Sequence, residues 1–211
     1  MLSYDRFSMM TTRALRLILA SQSPRRCELL RRAGFDFDLS PSQISEIPDE
    51  NLNIEERIRD LARRKANACI ESGKLMGSLG NLILSADTVV VLDGQILGKP
   101  VDRLENERFL RRLSARTHSV ITAVCLLETG SGKTAVGHET SMITFKTVAE
   151  SDLVEYVASG DGLDKAGGYG IQGAAGRFVE QVEGHFDNVI GLPVNLVEQM
   201  LTENGWHVDR R

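Results

Sequence analysis

The stretch from Leu15 to Arg26 reads LRLILASQSPRR. Its first six residues are apolar except Arg16, which is typical of a buried strand. Ser23 and Pro24 follow in the order expected of a helix N-cap and the first helical residue, and Gly34 occupies the position expected just after the helix end. The stretch therefore predicts a strand, a tight loop and a helix, which is the opening unit of an α/β fold.

The same loop has the features of an anion site. A strand that runs into a helix N-terminus presents free backbone N–H groups and the positive end of the helix dipole. Arg25 and Arg26 add guanidinium donors suited to phosphate oxygens, and Ser21 adds a hydroxyl. Two arginines in the first turn oppose the dipole, which is unfavourable unless an anion binds there. The alternative is a capped helix with surface arginines.

Outside this unit, local signals predict alternating strands and helices. Asn53 and Glu56 have the spacing of a capping box, Asp93-Gly94 is a hairpin signal, and Asp102 with Glu105 caps a later helix. The pattern favours an α/β class with a partly mixed sheet. The expected strands are 35–39, 82–92, 95–98, 119–128, 135–147 and 178–182, and the further helices are 53–72, 102–113, 150–159 and 193–201.

Two charged residues stand where apolar ones are expected. Lys65 follows Leu61 by four residues and therefore lies on the apolar stripe of its helix, where a lysine is costly unless it meets an anion. Asp87 interrupts the apolar strand SADTVV at 85–90, and such a carboxylate is a candidate metal ligand or general base. The alternatives are a lysine that snorkels at the edge of the stripe and a hydrogen-bonded structural aspartate.

Two glycine-containing segments are further candidates. Lys99 lies between Gly98 and Pro100 and would give a point charge for phosphate, although an ordinary turn is the simpler interpretation. Residues 164–176 read DKAGGYGIQGAAG, a glycine density that permits close approach of a ligand to the backbone. Gln172 in this segment offers an amide suited to reading a base edge. The alternative is a flexible surface loop.

Composition and motifs exclude several classes. The chain has 42% hydrophobic and 26% charged residues and a net charge of −4, which argues against broad binding of nucleic acid. No apolar run approaches the length of a membrane helix, and residues 1–14 are expected to be a disordered extension before a single domain at 15–211. The three cysteines are expected to be reduced, buried thiols of a cytoplasmic protein. The P-loop-like GSGKT at 130–134 lacks the required glycine at Leu127 and the following helix.

Taken in order, these motifs resemble one family, the Maf-like proteins. They are LILASQSPRR at 17–26, ISE at 44–46, RRKA at 63–66, SADTVV at 85–90, LGKP at 97–100, THSVITAV at 117–124 and DKAGGYGIQG at 164–173. The resemblance implies an elongated mixed-sheet fold of the Maf/ITPase type, with two lobes around a central cleft. It also implies hydrolysis of nucleoside triphosphates to monophosphate and pyrophosphate, a divalent cation such as Mg²⁺ or Mn²⁺, and a homodimer.

The resemblance also implies roles for individual residues. Asp87 is similar to the family's catalytic acid/base position. Two roles stay open for it: Glu46 and Asp87 hold the metal, or Asp87 activates water. The DKAGGYGIQG form is similar to the branch that acts on dTTP and UTP, whereas Ser45 departs from the acidic residue often found before the glutamate. The remaining residues that the resemblance assigns to catalysis are Lys65 and Lys99, and those that it assigns to substrate binding are Ser21, Arg25, Arg26, Thr88 and Gln172.

The sequence is compatible with two other functions. The same fold could act on modified or non-standard nucleotides as a house-cleaning enzyme. A protein of another class would bind nucleotide or nucleic acid without catalysis, as a regulator linked to cell division. The net negative charge and the acidic residues of the expected cleft favour the enzyme.

Overall fold

A computed structural model describes residues 14–41, 44, 49, 51–71 and 78–211. Within these residues the strands are β1 Arg16–Leu19, β2 Asp38–Leu39, β3 Asn81–Leu92, β4 Gln95–Leu97, β5 Thr117–Glu128, β6 Thr134–Phe145 and β7 Val179–Glu183. β1 runs parallel to β2 and β3, whereas β3, β5, β6 and β7 are antiparallel neighbours. The seven strands form one mixed sheet in the order β2-β1-β3-β5-β6-β7, with β4 paired to β3.

Two helices begin at capping residues that the sequence predicted, Asn53 before Ile54–Glu71 and Asp102 before Arg103–Leu113. At the start of the helix Ile54–Glu71 the Oδ1 atom of Asn53 accepts from the Glu56 N–H at 2.9 Å, and a carboxylate oxygen of Glu56 accepts from the Asn53 N–H at 3.1 Å. The expected capping box is therefore confirmed. The helices are α1 Pro24–Arg32, α2 Ile54–Glu71, α3 Arg103–Leu113, α4 Glu150–Ser159, α5 Phe186–Ile190 and α6 Val194–Asn204. Short 3₁₀ turns at Ala166–Gly168 and Ala174–Phe178 lie in the glycine-rich segment.

The long strand β3 passes through three apolar cores. Leu82 and Leu84 pack in a core with α1 and α6, and Ile83 packs beneath α2. Val90, near the other end of the strand, packs in a core with α3 and α4. Thr88 lies on β3 between the core with α1 and the core with α3, whereas Asp87 lies on the other face of the strand, beneath α2, between Ile83 and the partly buried Val89. This arrangement places the polar residues of β3 where a cleft can open.

Several expected elements differ in extent. Of the strand expected at 35–39 only Asp38–Leu39 pairs with β1. Phe35 instead forms an isolated bridge to Arg210 and is fully buried, with the Arg210 guanidinium 4.2 Å from the ring centroid. Pro193 is the N-cap of α6, not its first residue. The five-residue helix α5 was not expected, because it is too short to show a helical period.

Other expectations are confirmed within the described residues. Asp93 and Gly94 have positive φ values of 52° and 72°, as a two-residue hairpin turn requires. Cys27, Cys69 and Cys125 are free and buried. No described helix combines the length and apolarity that crossing a membrane would need. The expected extension at 1–14 lies outside the described residues except for Ala14.

Candidate active site

A cleft of about 610 Å³ opens beside the middle of β3. Its walls come from the end of β1 and the start of α1, from α2, from the loop after β4, from residues 161–173 and from the end of α5. These segments are far apart in sequence. The predicted site residues that line the cleft are Ser21, Arg25, Arg26, Lys65, Asp87, Thr88, Lys99 and Gln172. Glu46 and Ser45 lie outside the described residues.

An ion pair between Lys65 and Asp87 lies in the cleft. The Nζ atom of Lys65 is 2.6 Å from Oδ1 of Asp87, and the two side chains are only 13% and 12% exposed. Lys65, which the apolar stripe of α2 predicted to face inward, therefore pairs with a carboxylate of the protein itself. Because a buried charge is costly without a partner, each of the two residues makes the other tolerable in this position.

A buried hydrogen bond sets the register of α2 on β3. The hydroxyl of Ser85 donates to the Ala62 carbonyl at 2.6 Å, and Ser85 is fully buried. Asp87 follows Ser85 by two residues on the same face of the strand, and Lys65 follows Ala62 by three on the same face of the helix. The Ser85 contact therefore aligns the two elements so that Lys65 and Asp87 meet.

Arg26 connects three separate segments beside the cleft. Its Nε donates to the Gly191 carbonyl at 2.8 Å, Nη1 donates to Oγ of Ser21 at 3.2 Å, and Nη2 donates to Oγ1 of Thr88 at 3.2 Å. The Ser21 hydroxyl also accepts from the Ser23 N–H at 3.2 Å. Arg26 thus has protein acceptors on every guanidinium nitrogen and fixes the loop between β1 and α1 against β3 and α5.

Arg25 extends to the opposite wall of the cleft. Its Nη1 lies 3.9 Å from Oδ2 of Asp164, and its side chain is 34% exposed. Partial burial alone would raise the pKa of Asp164, but the hydrogen bond from Lys165 and the charges of Lys165 and Arg25 outweigh it, so the pKa is lowered. The two adjacent arginines therefore differ: Arg26 donates to protein acceptors from every guanidinium nitrogen, whereas Arg25 makes a long ion pair with Asp164.

The glycine-rich segment is tied to the fold at several points. The Gly167 N–H donates to the Gly98 carbonyl at 2.9 Å, next to the exposed Lys99. The hydroxyl of Tyr169 lies 2.6 Å from Nε2 of His118, and both side chains are buried. Gln172 is exposed at the cleft. The segment therefore forms a wall with its own hydrogen bonds to the sheet, and it brings Gln172 to the site.

A family model for Maf-like proteins matches residues 16–204 of this chain. The chain belongs to the Maf-like protein family. The resemblance inferred from the order of the motifs is confirmed, and the mixed α/β fold agrees with it.

Curated relatives cover nearly the whole Maf-like region. A protein of Bdellovibrio bacteriovorus is 47% identical over 187 residues, which is 89% of this chain and 97% of its own. A protein of Caldicellulosiruptor saccharolyticus is 40% identical over 195 residues, 90% of this chain and 96% of its own. One of Desulfitobacterium hafniense is 42% identical over 187 residues, 88% of this chain and 84% of its own. Each is named dTTP/UTP pyrophosphatase.

Sequence reasoning about this Maf-like chain missed Gly191. Its φ is 124°, and a Cβ there would lie 3.4 Å from Oγ1 of Thr88 and 3.7 Å from Nε of Arg26. A side chain would therefore be strained and would crowd the contact that the Gly191 carbonyl makes with Arg26. The sequence signal is a glycine before Leu192-Pro193. It predicts a chain reversal, but it does not indicate that the reversal contacts Arg26.

The carboxylates of the Maf cleft were also only partly predicted. Asp161 and Asp164 both contact Nζ of Lys165, at 3.1 and 2.7 Å to their Oδ1 atoms, and both line the cleft. Among the described residues, no three His, Cys, Asp or Glu side chains come together as a metal site. Of the two expected metal ligands, Asp87 lies in the cleft, and Glu46 belongs to a segment that is not described.

Proposed function

We propose that this protein hydrolyses dTTP and UTP to the monophosphate and pyrophosphate. The observation that carries the proposal is the charge of the cleft in a protein of net charge −4. The described residues that line it include five cationic side chains and three carboxylates, so cations are in excess there. A local excess of positive charge suits a triphosphate. The choice of thymine and uracil as bases follows the relatives, which are named dTTP/UTP pyrophosphatase.

The geometry supports different catalytic roles for different residues of the cleft. Asp87 is the residue we assign to activating water for attack on the α-phosphorus, because it is a carboxylate held in place by Lys65. The α–β phosphoanhydride bond breaks, the proton of water passes to Asp87, and pyrophosphate leaves. Lys65, Lys99 and Arg25 neutralise the charge that develops on the phosphates.

We propose that a divalent cation binds beside Asp87. Mg²⁺ prefers oxygen ligands and takes one or two protein carboxylates, with substrate phosphates and waters completing its shell. Asp87 offers such an oxygen in the cleft, and Glu46 is the second ligand that we propose. When bound, the cation supplies Lewis-acid stabilisation of charge on the phosphate oxygens.

Two finer expectations belong to the same proposal. The three buried free thiols favour a reducing compartment such as the cytoplasm. The homodimer implied by the family resemblance is an expectation that sedimentation of the purified protein would test.

The test is pyrophosphate release from a panel of nucleotides in the presence of Mg²⁺. The proposal expects turnover of dTTP and UTP with kcat/KM about tenfold or more above that of CTP, ITP and 7-methyl-GTP. A preference for ITP or 7-methyl-GTP would instead assign the cleft to a different nucleotide. Nucleotide binding without pyrophosphate release, under Mg²⁺ or Mn²⁺, would identify a non-catalytic regulator.

A further inference from the structure

A chain of hydroxyl groups runs from the cleft into the core behind it. Oγ1 of Thr88 on β3 lies 3.0 Å from Oγ1 of Thr122, which stands directly opposite on β5. The Thr122 hydroxyl lies 3.0 Å from the main-chain carbonyl oxygen of Asn188 in α5. Thr122 is fully buried and does not line the cleft, whereas Thr88 does.

The two ends of this chain fix its direction. At one end Nη2 of Arg26 lies 3.2 Å from Oγ1 of Thr88, and a guanidinium group can only donate. At the other end the Asn188 carbonyl can only accept, so the Thr122 proton goes to it. Thr122 then has no proton left for Thr88, and Thr88 must donate its own proton to Thr122. The order of donation is therefore Arg26, Thr88, Thr122, Asn188.

The acceptor at the buried end is itself held in place. The Asn188 side chain is fully buried, and its Nδ2 donates to the Val120 carbonyl at 3.1 Å and to Oγ of Ser141 at 2.9 Å. The Gly191 N–H also donates to the Asn188 carbonyl at 3.0 Å. Because these contacts anchor Asn188 on β5 and β6, the direction of the chain is built into the fold.

The consequence appears on the cleft side. The only proton of the Thr88 hydroxyl is committed to Thr122, so Thr88 can act only as an acceptor toward a ligand. A hydroxyl oxygen accepts up to two hydrogen bonds, and among the described residues Arg26 uses one of them. Phosphate oxygens and base carbonyls are acceptors and gain nothing from Thr88. The group that it can recognise is a donor.

We propose that Thr122 is a positioning residue that fixes Thr88 as a hydrogen-bond acceptor, and that the cleft thereby selects pyrimidines carrying an N3–H. Thymine and uracil share this donor, whereas cytosine has an acceptor at N3. The 3′-hydroxyl is also common to dTTP and UTP, but it can donate or accept and so does not need a fixed polarity. This inference rests on the proposed function.

The test compares CTP with UTP in Thr122→Val, which removes the hydroxyl and nearly keeps the shape. Thr88 then recovers a free proton and can donate to the cytosine N3. We expect the ratio of kcat/KM for CTP to that for UTP to rise by about tenfold. Thr122→Ser keeps the hydroxyl and should retain the wild-type ratio.

Thr117→Val is the matched control, because Thr117 forms a similar cross-strand hydroxyl pair with Thr144 at 2.9 Å, exposed and away from the cleft. It should leave the CTP:UTP ratio unchanged. A folded, active Thr122→Val enzyme with the wild-type ratio would overturn the inference. Absence of pyrophosphate release from dTTP and UTP by the wild-type protein would instead remove the proposed function, and this inference with it.

A second measurement needs no variant and decides the case where Thr122→Val does not fold. The wild-type enzyme is given UTP, N3-methyl-UTP and 3′-deoxy-UTP. We expect N3-methyl-UTP to lose about tenfold or more in kcat/KM and 3′-deoxy-UTP to stay close to UTP. Turnover of N3-methyl-UTP at the rate of UTP, or a selective loss with 3′-deoxy-UTP, would overturn the assignment to N3–H.

Discussion

Lys65 and Asp87 are each a charge in an apolar setting, and each is stabilised by the other. We predict that Lys65→Met lowers the free energy of unfolding by about 3 kcal/mol, because it leaves the buried Asp87 carboxylate without its cation. Urea denaturation measures the change. Lys65→Met combined with Asp87→Asn should recover most of the stability but no activity. Equal stability of the single and double variants would contradict the coupling.

His118 gives a prediction about pH. Burial lowers the pKa of His118 to about 4 from an ordinary value of 6.5, so the folded protein binds its proton less readily than the unfolded chain does. Above about pH 6.5 His118 is neutral in both states, and its protonation does not reduce the free energy of unfolding. As the pH falls from about 6.5 to about 4, the unfolded chain takes up the proton first, so the free energy of unfolding falls by about 3 kcal/mol in total.

The measurement is the difference in unfolding free energy between the wild-type protein and His118→Phe, taken at several pH values. The wild type should lose stability relative to the variant between about pH 6.5 and 4. The variant also loses the contact with Tyr169, but that loss is the same at every pH. A difference that does not change with pH would show that His118 titrates alike in both states.

At the scale of elements, the contact between α2 and β3 decides whether Lys65 meets Asp87. We predict that Ser85→Ala costs about 1 kcal/mol of stability, because it removes the buried hydrogen bond to the Ala62 carbonyl. It should also lower kcat for dTTP by several-fold, since Lys65 is then less firmly aligned. Ser119→Ala, which removes a hydroxyl of β5 beside Met142, is the control and should leave kcat unchanged.

Elements specified by neighbouring residues could be predicted, and contacts between distant segments could not. The capping box of α2 depends on Asn53 and Glu56, three residues apart, and the turn at Asp93-Gly94 depends on two adjacent residues. The contact of Arg26 with the Gly191 carbonyl spans 165 residues, and no local pattern indicates it. The sequence therefore predicted both arginines alike as phosphate ligands, whereas the fold distinguishes them.

The whole molecule is expected to unfold in one cooperative transition, because two strands are shared by all three cores. β3 and β5 contribute side chains to all three cores, so neither end of the sheet can unfold without exposing apolar surface in the other. Leu30→Ala in the core with α1, or Leu110→Ala in the core with α3, should each cost about 3 kcal/mol. Both variants should shift the same single transition by calorimetry, and two separate transitions would contradict a single domain.

We propose that the cleft beside β3 hydrolyses the α–β bond of dTTP through Asp87. The most direct test is the rate of pyrophosphate release from dTTP, with Mg²⁺, by the wild-type protein and by Asp87→Asn. The substitution keeps the shape of the side chain but removes its basicity, so turnover should fall on the order of a hundredfold or more while dTTP still binds. Near-normal turnover by a folded Asp87→Asn protein would rule out a catalytic role for Asp87.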